Sequence, residues 1–254
     1  MKTVQLSDKG RVRQHNEDSV GVFTNKNGIV LAIVADGMGG HLAGDVASQM
    51  TISSFKKIWD ETGGFDSPDS AEKWFGEHLE LVNMMLFKHA LNNPECQGMG
   101  TTFVGVICTD AFATICHIGD SRCYLHNESG FKLMTQDHSL VNELVRSGQI
   151  TKEDAEHHPR KNVLLRALGT EQQVHFDVTS IGAEQSDILL LCSDGLSNKV
   201  SEEHMQSILN SEQQELLNKA ETLVQLANEN GGEDNISLVL VEYSPGSEKG
   251  DEAC

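Results

Sequence analysis

Two stretches of the chain place apolar residues three or four positions apart, the repeat of one helix face. Over residues 70–91 these are Phe75, Leu79, Val82, Leu86 and Ala90. Over 212–230 they are Leu216, Ala220, Leu223, Val224 and Ala227. Both spacings predict amphipathic helices, and a shorter helix is expected after Gly44. Elsewhere the apolar residues fall in short runs bounded by Gly, Asp or Asn. Such runs at 29–35, 101–109, 111–117, 123–126, 131–135, 174–179, 188–192 and 236–242 read as strands. The turns between several of them are short, so the pairing is expected to be antiparallel. Strands grouped together with helices at either end predict a layered α+β architecture.

Residues 139–170 interrupt the strands. A helix is expected from Ser139 to a stop at Gly148, and Thr151 with Asp154 has the spacing of a capping box opening a second. Such an insertion is either plain packing or a mobile flap beside a site. There is no internal repeat and no low-complexity linker. The last residues, 244–254, are polar and rich in Gly and Pro, and are expected to form a disordered tail. That leaves 1–243 as one domain.

Composition narrows the function classes. The net charge is −19, which argues against a nucleic-acid partner. No run of about 18 apolar residues occurs, so no membrane span is expected. The N-terminus lacks the apolar core of a secretion signal, which predicts a cytoplasmic protein. The six cysteines show no paired spacing and mostly lie in strand-like runs, so they are expected to be buried and reduced.

The acidic residues carry the chemistry. Asp36 follows the apolar run 30–35, and Asp194 follows the run 188–192. Asp120 lies in His-Ile-Gly-Asp-Ser-Arg (117–122) and Asp234 in Gly-Gly-Glu-Asp-Asn-Ile-Ser (231–237). Glu17 and Asp18 follow Arg13 near the N-terminus. A carboxylate at the end of a buried strand is costly to desolvate. Several gathered together repel one another unless a cation neutralises them. The set predicts an oxygen-ligand site for a hard divalent cation, Mg²⁺ or Mn²⁺.

Seven segments occur in order across almost the whole chain. They are Arg-x-x-Asn-Glu-Asp, Asp-Gly-Met-Gly-Gly-His, Met-Gly-Thr-Thr, Gly-Asp-Ser-Arg, Asp-His-Ser, Ser-Asp-Gly-Leu and Glu-Asp-Asn-Ile. Together they resemble the metal-dependent Ser/Thr protein phosphatases of the PPM, or type-2C, family. Residues 150–163 resemble, more narrowly, the Bacillus-type members that oppose a PASTA-domain Ser/Thr kinase. The resemblance implies a central antiparallel β-sandwich flanked by helix pairs, with the site at one edge and 139–170 as a flap. It implies hydrolysis of phosphoserine and phosphothreonine by an activated water, with phosphorylated proteins as partners and a monomeric enzyme. Two core ions and a third, weaker one are implied.

Residue by residue, the resemblance gives Asp36 both core ions, with the Gly37 carbonyl completing one. Asp194 and Asp234 complete the first ion, and Glu17 and Asp18 bind the second, largely through water. Asp120 holds the third ion together with Asp194, and Arg13 grips the phosphate. One departure stands out: Met38 occupies the place where animal members carry a histidine acid, and the nearest histidine is His41. No general acid is assigned.

Two rivals remain. Cys116 and Arg122 fit Cys-x-x-Gly-x-x-Arg, the phosphate loop of thiol-based phosphatases. That loop must run from a strand into a helix, and here an extended run follows Arg122. A phosphoprotein-binding pseudophosphatase is the other, and would be expected to have lost ligands that this chain retains.

Overall fold

The computed structural model describes residues 1–40, 43–211 and 213–244. Eleven strands form two sheets among them. The first runs β1 (Lys2–Asp8), β11 (Ile236–Glu242), β10 (Ile188–Cys192), β7 (Arg122–Asn127), β8 (Gly130–Leu133). The second runs β2 (Asp18–Thr24), β3 (Val30–Met38), β5 (Phe103–Cys108), β6 (Phe112–Ile118), β9 (Asp177–Gly182), with the short β4 (Gly100–Thr101) beside the end of β3. Every pairing is antiparallel.

Three apolar cores account for strands that are unbroken apolar runs rather than alternating ones. In β3, Val30, Ala32 and Val34 face the other sheet, where they meet Leu189, Leu191, Val239 and Val241. Leu31 and Ile33 point the opposite way, into a core shared with α1 (Ala43–Glu61) and α2 (Pro68–Asn92). Strands β10 and β11 do the same on the other side. Their Leu190, Leu238 and Leu240 pack with α6 (Glu202–Leu209) and α7 (Leu216–Glu229). Both faces of each sheet are covered, so the layers are α-β-β-α.

Aromatic rings fill the core under α1 and α2. Phe55 stacks on Phe103 at 4.8 Å between centroids, and Trp59 meets Trp74 edge-on at 5.2 Å. Helix α2 opens with a capping box between Ser67 and Ser70 and with Pro68 in its first turn, where the missing amide costs nothing.

The departures from the expected elements have physical reasons. The helix near Gly44 is not short. It spans 19 residues and starts at Ala43, because its buried stripe begins with small residues, Ala43, Ala47, Ser48 and Thr51, which give a weak apolar signal. Strands β1 and β2 lie outside the expected runs. Strand β1 buries little beyond Val4 and Leu6 against its sheet's outer core, and Gly21 and Asp18 dilute β2. The strand expected at 174–179 pairs only from Asp177, opposite His117, although Val174 and Phe176 still pack on the core. The insertion carries the two expected helices, α3 (Leu140–Arg146) and α4 (Lys152–Glu156). Thr151 and Asp154 form the reciprocal cap. The tail beyond residue 244 lies outside the described residues, as does His41. No described helix is long and apolar enough to cross a membrane.

Truncating the central ring tests this packing. Phe55→Ala is expected to lower unfolding free energy by about 3–5 kcal/mol, read by urea denaturation, while leaving divalent-cation affinity of the folded fraction unchanged.

Candidate metal and phosphate site

The acidic residues come from strand ends of both sheets and meet at one edge of the sandwich. Asp18 opens β2 directly opposite Asp36 in β3. Asp194 begins the short helix α5 (Asp194–Ser197) immediately after β10. Asp234 stands two residues before β11, and Asp120 lies in the turn between β6 and β7.

Serines and threonines join the sheets under this edge. Ser193 Oγ donates to Asp18 Oδ2 at 2.8 Å and accepts from the Ser237 amide at 3.0 Å. The Asp36 amide donates to Thr102 Oγ1 at 2.9 Å, and Thr101 Oγ1 donates back to the Asp36 carbonyl at 2.9 Å. The Thr102 and Ser121 hydroxyls are 2.7 Å apart, which ties this pair to the Asp120 turn. These bonds fix the ends of the strands and leave the carboxylates to face one another.

The N-terminal loop is fastened by Asn235. Its side-chain amide donates to the carbonyls of Lys9 and His15 at 2.9 and 3.0 Å, and its oxygen accepts from the Glu17 amide at 2.8 Å. Glu17 is thereby placed beside Gly37, whose amide donates to the Glu17 carbonyl at 3.1 Å. A Cβ on Gly44 would lie 2.8 Å from the Gly37 carbonyl oxygen and 3.0 Å from the Glu17 carboxyl carbon. Glycine at 44 is what lets helix α1 start this close to two oxygen donors.

Electrostatics mark the group. Burial, then the neighbouring acids Asp18, Asp194, Asp120 and Asp234, hold the Asp36 carboxyl well above the usual carboxylate range. Burial pushes Asp18 up to about 7, against the Ser193 hydrogen bond. Burial and Asp194 raise Asp120 to about 7, and burial and Asp234 raise Asp194 to about 6. Burial also raises Glu17, with Arg13 opposing it.

The nearby cations do not offset this charge. Arg122 is committed to a bidentate pair with Asp137, at 3.0 and 2.7 Å. Arg13 Nη2 pairs with Asp234 at 2.8 Å, with 46% of the arginine side chain exposed. A pair that open is worth about 0–1 kcal/mol, so the guanidinium can leave Asp234 for a stronger anion.

A divalent cation fits this donor set. Asp18 Oδ1 is buried and without a hydrogen-bond partner. Repelling carboxylates without a committed cation are what a hard ion requires. Among the described residues, the acids do not form a tight three-ligand nest. The only three metal-ligating side chains with donor atoms within 4.8 Å of one another are, among those residues, His117, His138 and Asp177. Small hard ions commonly keep several waters between themselves and outlying acids. Sequence reasoning missed the supporting residues, Ser193, Ser237, Asn235 and Gly44. Their signal is only adjacency to the acids: Ser193-Asp194 and Asp234-Asn235 are neighbours in the chain.

The thiol arrangement is not formed. Cys116 lies wholly buried inside β6, where burial pushes its thiol far up. The segment after it leads into strand β7 rather than a helix, and Arg122 is held by Asp137.

The metal-free protein is expected to become more stable on acidification. Asp18, Asp120 and Asp194 bind protons in the fold at about pH 6–7 but only near pH 4 when unfolded. Folding therefore takes up protons, and stability falls as pH rises through that window. In EDTA the Tm should rise between pH 7.5 and 5.5, less so in Asp18→Asn. With saturating Mn²⁺ the trend should flatten or invert, because protons then compete with the ion.

Comparison with known proteins shows the family. Residues 9–230 match the family described as Protein phosphatase 2C. The chain is 47% identical over 236 residues to the serine/threonine phosphatase stp of Listeria welshimeri serovar 6b, covering 93% of each. Its fold superposes on the serine/threonine phosphatase Stp1 from Staphylococcus aureus with a TM-score of 0.91 at 34% identity, covering 96% of this chain and 95% of that one. A catalytic domain of the phosphatase PstP, solved in complex with two manganese ions, matches with a TM-score of 0.83 at 33% identity, covering 96% and 98%. The expected fold and family both hold: this chain belongs to the protein phosphatase 2C family.

Proposed function

We propose that this chain hydrolyses phosphoserine and phosphothreonine in cytoplasmic proteins, reversing a bacterial membrane Ser/Thr kinase. The observation that carries the reading is the buried group Asp18, Asp36, Asp120 and Asp194, raised by burial and mutual repulsion, with a half-exposed Arg13 at its edge. The relatives' activity supports it. Residues 1–243 act as one catalytic domain, with 139–170 as its flap, in a monomer.

Asp36 would hold two core Mn²⁺ or Mg²⁺ ions, one shared with the Gly37 carbonyl, Asp194 and Asp234 and the other with Glu17 and Asp18. Asp120 and Asp194 would hold a third, weaker ion. Bound there, the ions supply the Lewis acidity that lets a water ionise near neutral pH and that offsets phosphoryl charge. Arg13 exchanges its open pair with Asp234 for the phosphate, whose oxygens match the planar guanidinium fork. Asn235 sets its distance from the acids by pinning the loop on both sides, at Lys9 and His15. The serine and threonine hydroxyls beneath hold still the strand ends that carry the acids.

Hydrolysis of a phosphothreonine peptide in Mn²⁺, with EDTA and iodoacetamide in parallel, tests the reading. EDTA should abolish turnover, while iodoacetamide and Cys116→Ser should leave it intact. Full activity in EDTA would refute it.

Arg13→Ala separates phosphate binding from ion binding. Loss of a charged hydrogen bond costs roughly 1.5–3 kcal/mol, so kcat/KM should fall about ten- to over a hundredfold. Tight Mn²⁺ binding, followed by calorimetry, should persist.

A further inference from the structure

His117, His138 and Asp177 form a compact group that includes none of the site's acids. Two imidazoles and a carboxylate suit a transition metal, but the place of a cation is taken. Arg166 Nη1 stands 3.2 Å from His138 Nε2 and 3.3 Å from Asp177 Oδ1. The group is better understood through what His138 fastens.

His138 is 7% exposed and stacks on His117 with centroids 4.8 Å apart. Its backbone amide donates to the Gly119 carbonyl at 2.9 Å, and the Gly119 amide donates to His138 Nδ1 at 3.2 Å. An accepting Nδ1 puts the proton of the neutral ring on Nε2, which then donates to Asp177 Oδ2 at 3.3 Å. The His138 carbonyl accepts from the Leu165 amide at 2.8 Å, across the base of the flap. One residue thus joins the flap's entry, its return at Leu165 and the residue before Asp120.

Gly119 is the residue that this clamp holds. Its φ of +104° is one that L side chains rarely adopt, and Thr102 packs against its other side. His138 holds Gly119 from both sides: Nδ1 accepts the N–H of the Ile118–Gly119 peptide, and the His138 backbone amide donates to the carbonyl of the Gly119–Asp120 peptide. Together they fix the φ of Gly119 and the path of the chain into Asp120. We infer that His138 is a positioning residue for Asp120: its Nδ1, through the Gly119 amide, sets the affinity of the weak third ion, and its Nε2 pair with Asp177 only holds the ring. The inference rests on the reading of Asp120 as a third-ion ligand.

Two substitutions divide the ring's two nitrogens. Asparagine places its oxygen near Nδ1, and glutamine places its amide near Nε2. Mn²⁺ titration calorimetry is compared for the full-length wild type, His138→Asn, His138→Gln and Asp120→Ala. Asp120→Ala should erase the weak phase and keep the two tight ions. His138→Asn should keep the weak phase within about twofold. His138→Gln should weaken it roughly three- to tenfold, the effect of one lost hydrogen bond, with tight binding and phosphothreonine-peptide KM unchanged. Equal weakening in both His138 variants, or none in His138→Gln, would overturn the positioning role while leaving the third ion standing. A weak phase that survives Asp120→Ala would remove the third ion and the inference with it. Should His138→Gln not fold, hydrogen exchange at the wild-type Gly119 amide decides. Slow exchange, quickened in His138→Ala relative to His138→Asn, is expected. Fast exchange in the wild type overturns the role.

Discussion

Like-charge repulsion inside the protein is the constraint on which this structure turns. Carboxylates from β2, β3, the β6–β7 turn, α5 and the segment before β11 face one another at one edge, and burial makes Asp18, Asp36, Asp120 and Asp194 harder to ionise. Left to itself, such a group would push the two sheets apart. The fold answers with apolar packing below and hydroxyl bridges immediately beneath the acids. Val34 on one sheet and Leu191 and Val239 on the other share one core between the sheets. Ser193, bonded both to Asp18 and to Ser237, closes the seam directly under the charges. The site is therefore built at some cost in stability, as is common where function needs a strained or charged arrangement.

The same constraint accounts for the sandwich. Ligands that must be held apart against their own repulsion need stiff supports, and strand ends inside covered sheets provide them. Helix pairs on both outer faces cover the strands, so most core-facing strand positions are apolar. The arginines divide the remaining labour. Arg122 is committed to Asp137 and holds structure, while Arg13 stays on the surface with a weak partner.

Much of this was legible in the sequence. Six of the seven segments carry an acid, and they pointed to the acids that gather at this edge, because an Asp closing a buried apolar run is costly unless a cation or hydrogen bonds meet it. Strands β10 and β11 were legible to the residue, being short, almost wholly apolar and bounded by polar turns. What escaped was whatever depends on distant partners. Strand β1 has two apolar positions on its sheet's outer core, and only its pairing with β11 makes it a strand. Helix α1 is long because small residues fit against the second sheet, which no periodicity of large residues announces. Neither Asn235 nor Ser193 carries a signal of its own. Each matters through bonds to residues far off in the chain, Asn235 to Glu17 across 218 positions and Ser193 to Asp18 across 175.

Asn235 has a consequence for how the molecule opens. One amide group bonds the carbonyls of Lys9 and His15 and the amide of Glu17, while Gly232 accepts from the backbones of Arg11 and Val12. Among the described residues, no other side chain grips the N-terminal loop at three points. The loop should consequently detach all at once, as a single cooperative unit with its own small opening free energy, rather than fray from Met1 inward. In such an opening the phosphate-binding arginine and the Glu17 carboxylate depart together, so a partly open molecule has no half-assembled site: it either presents the whole of that wall or none of it.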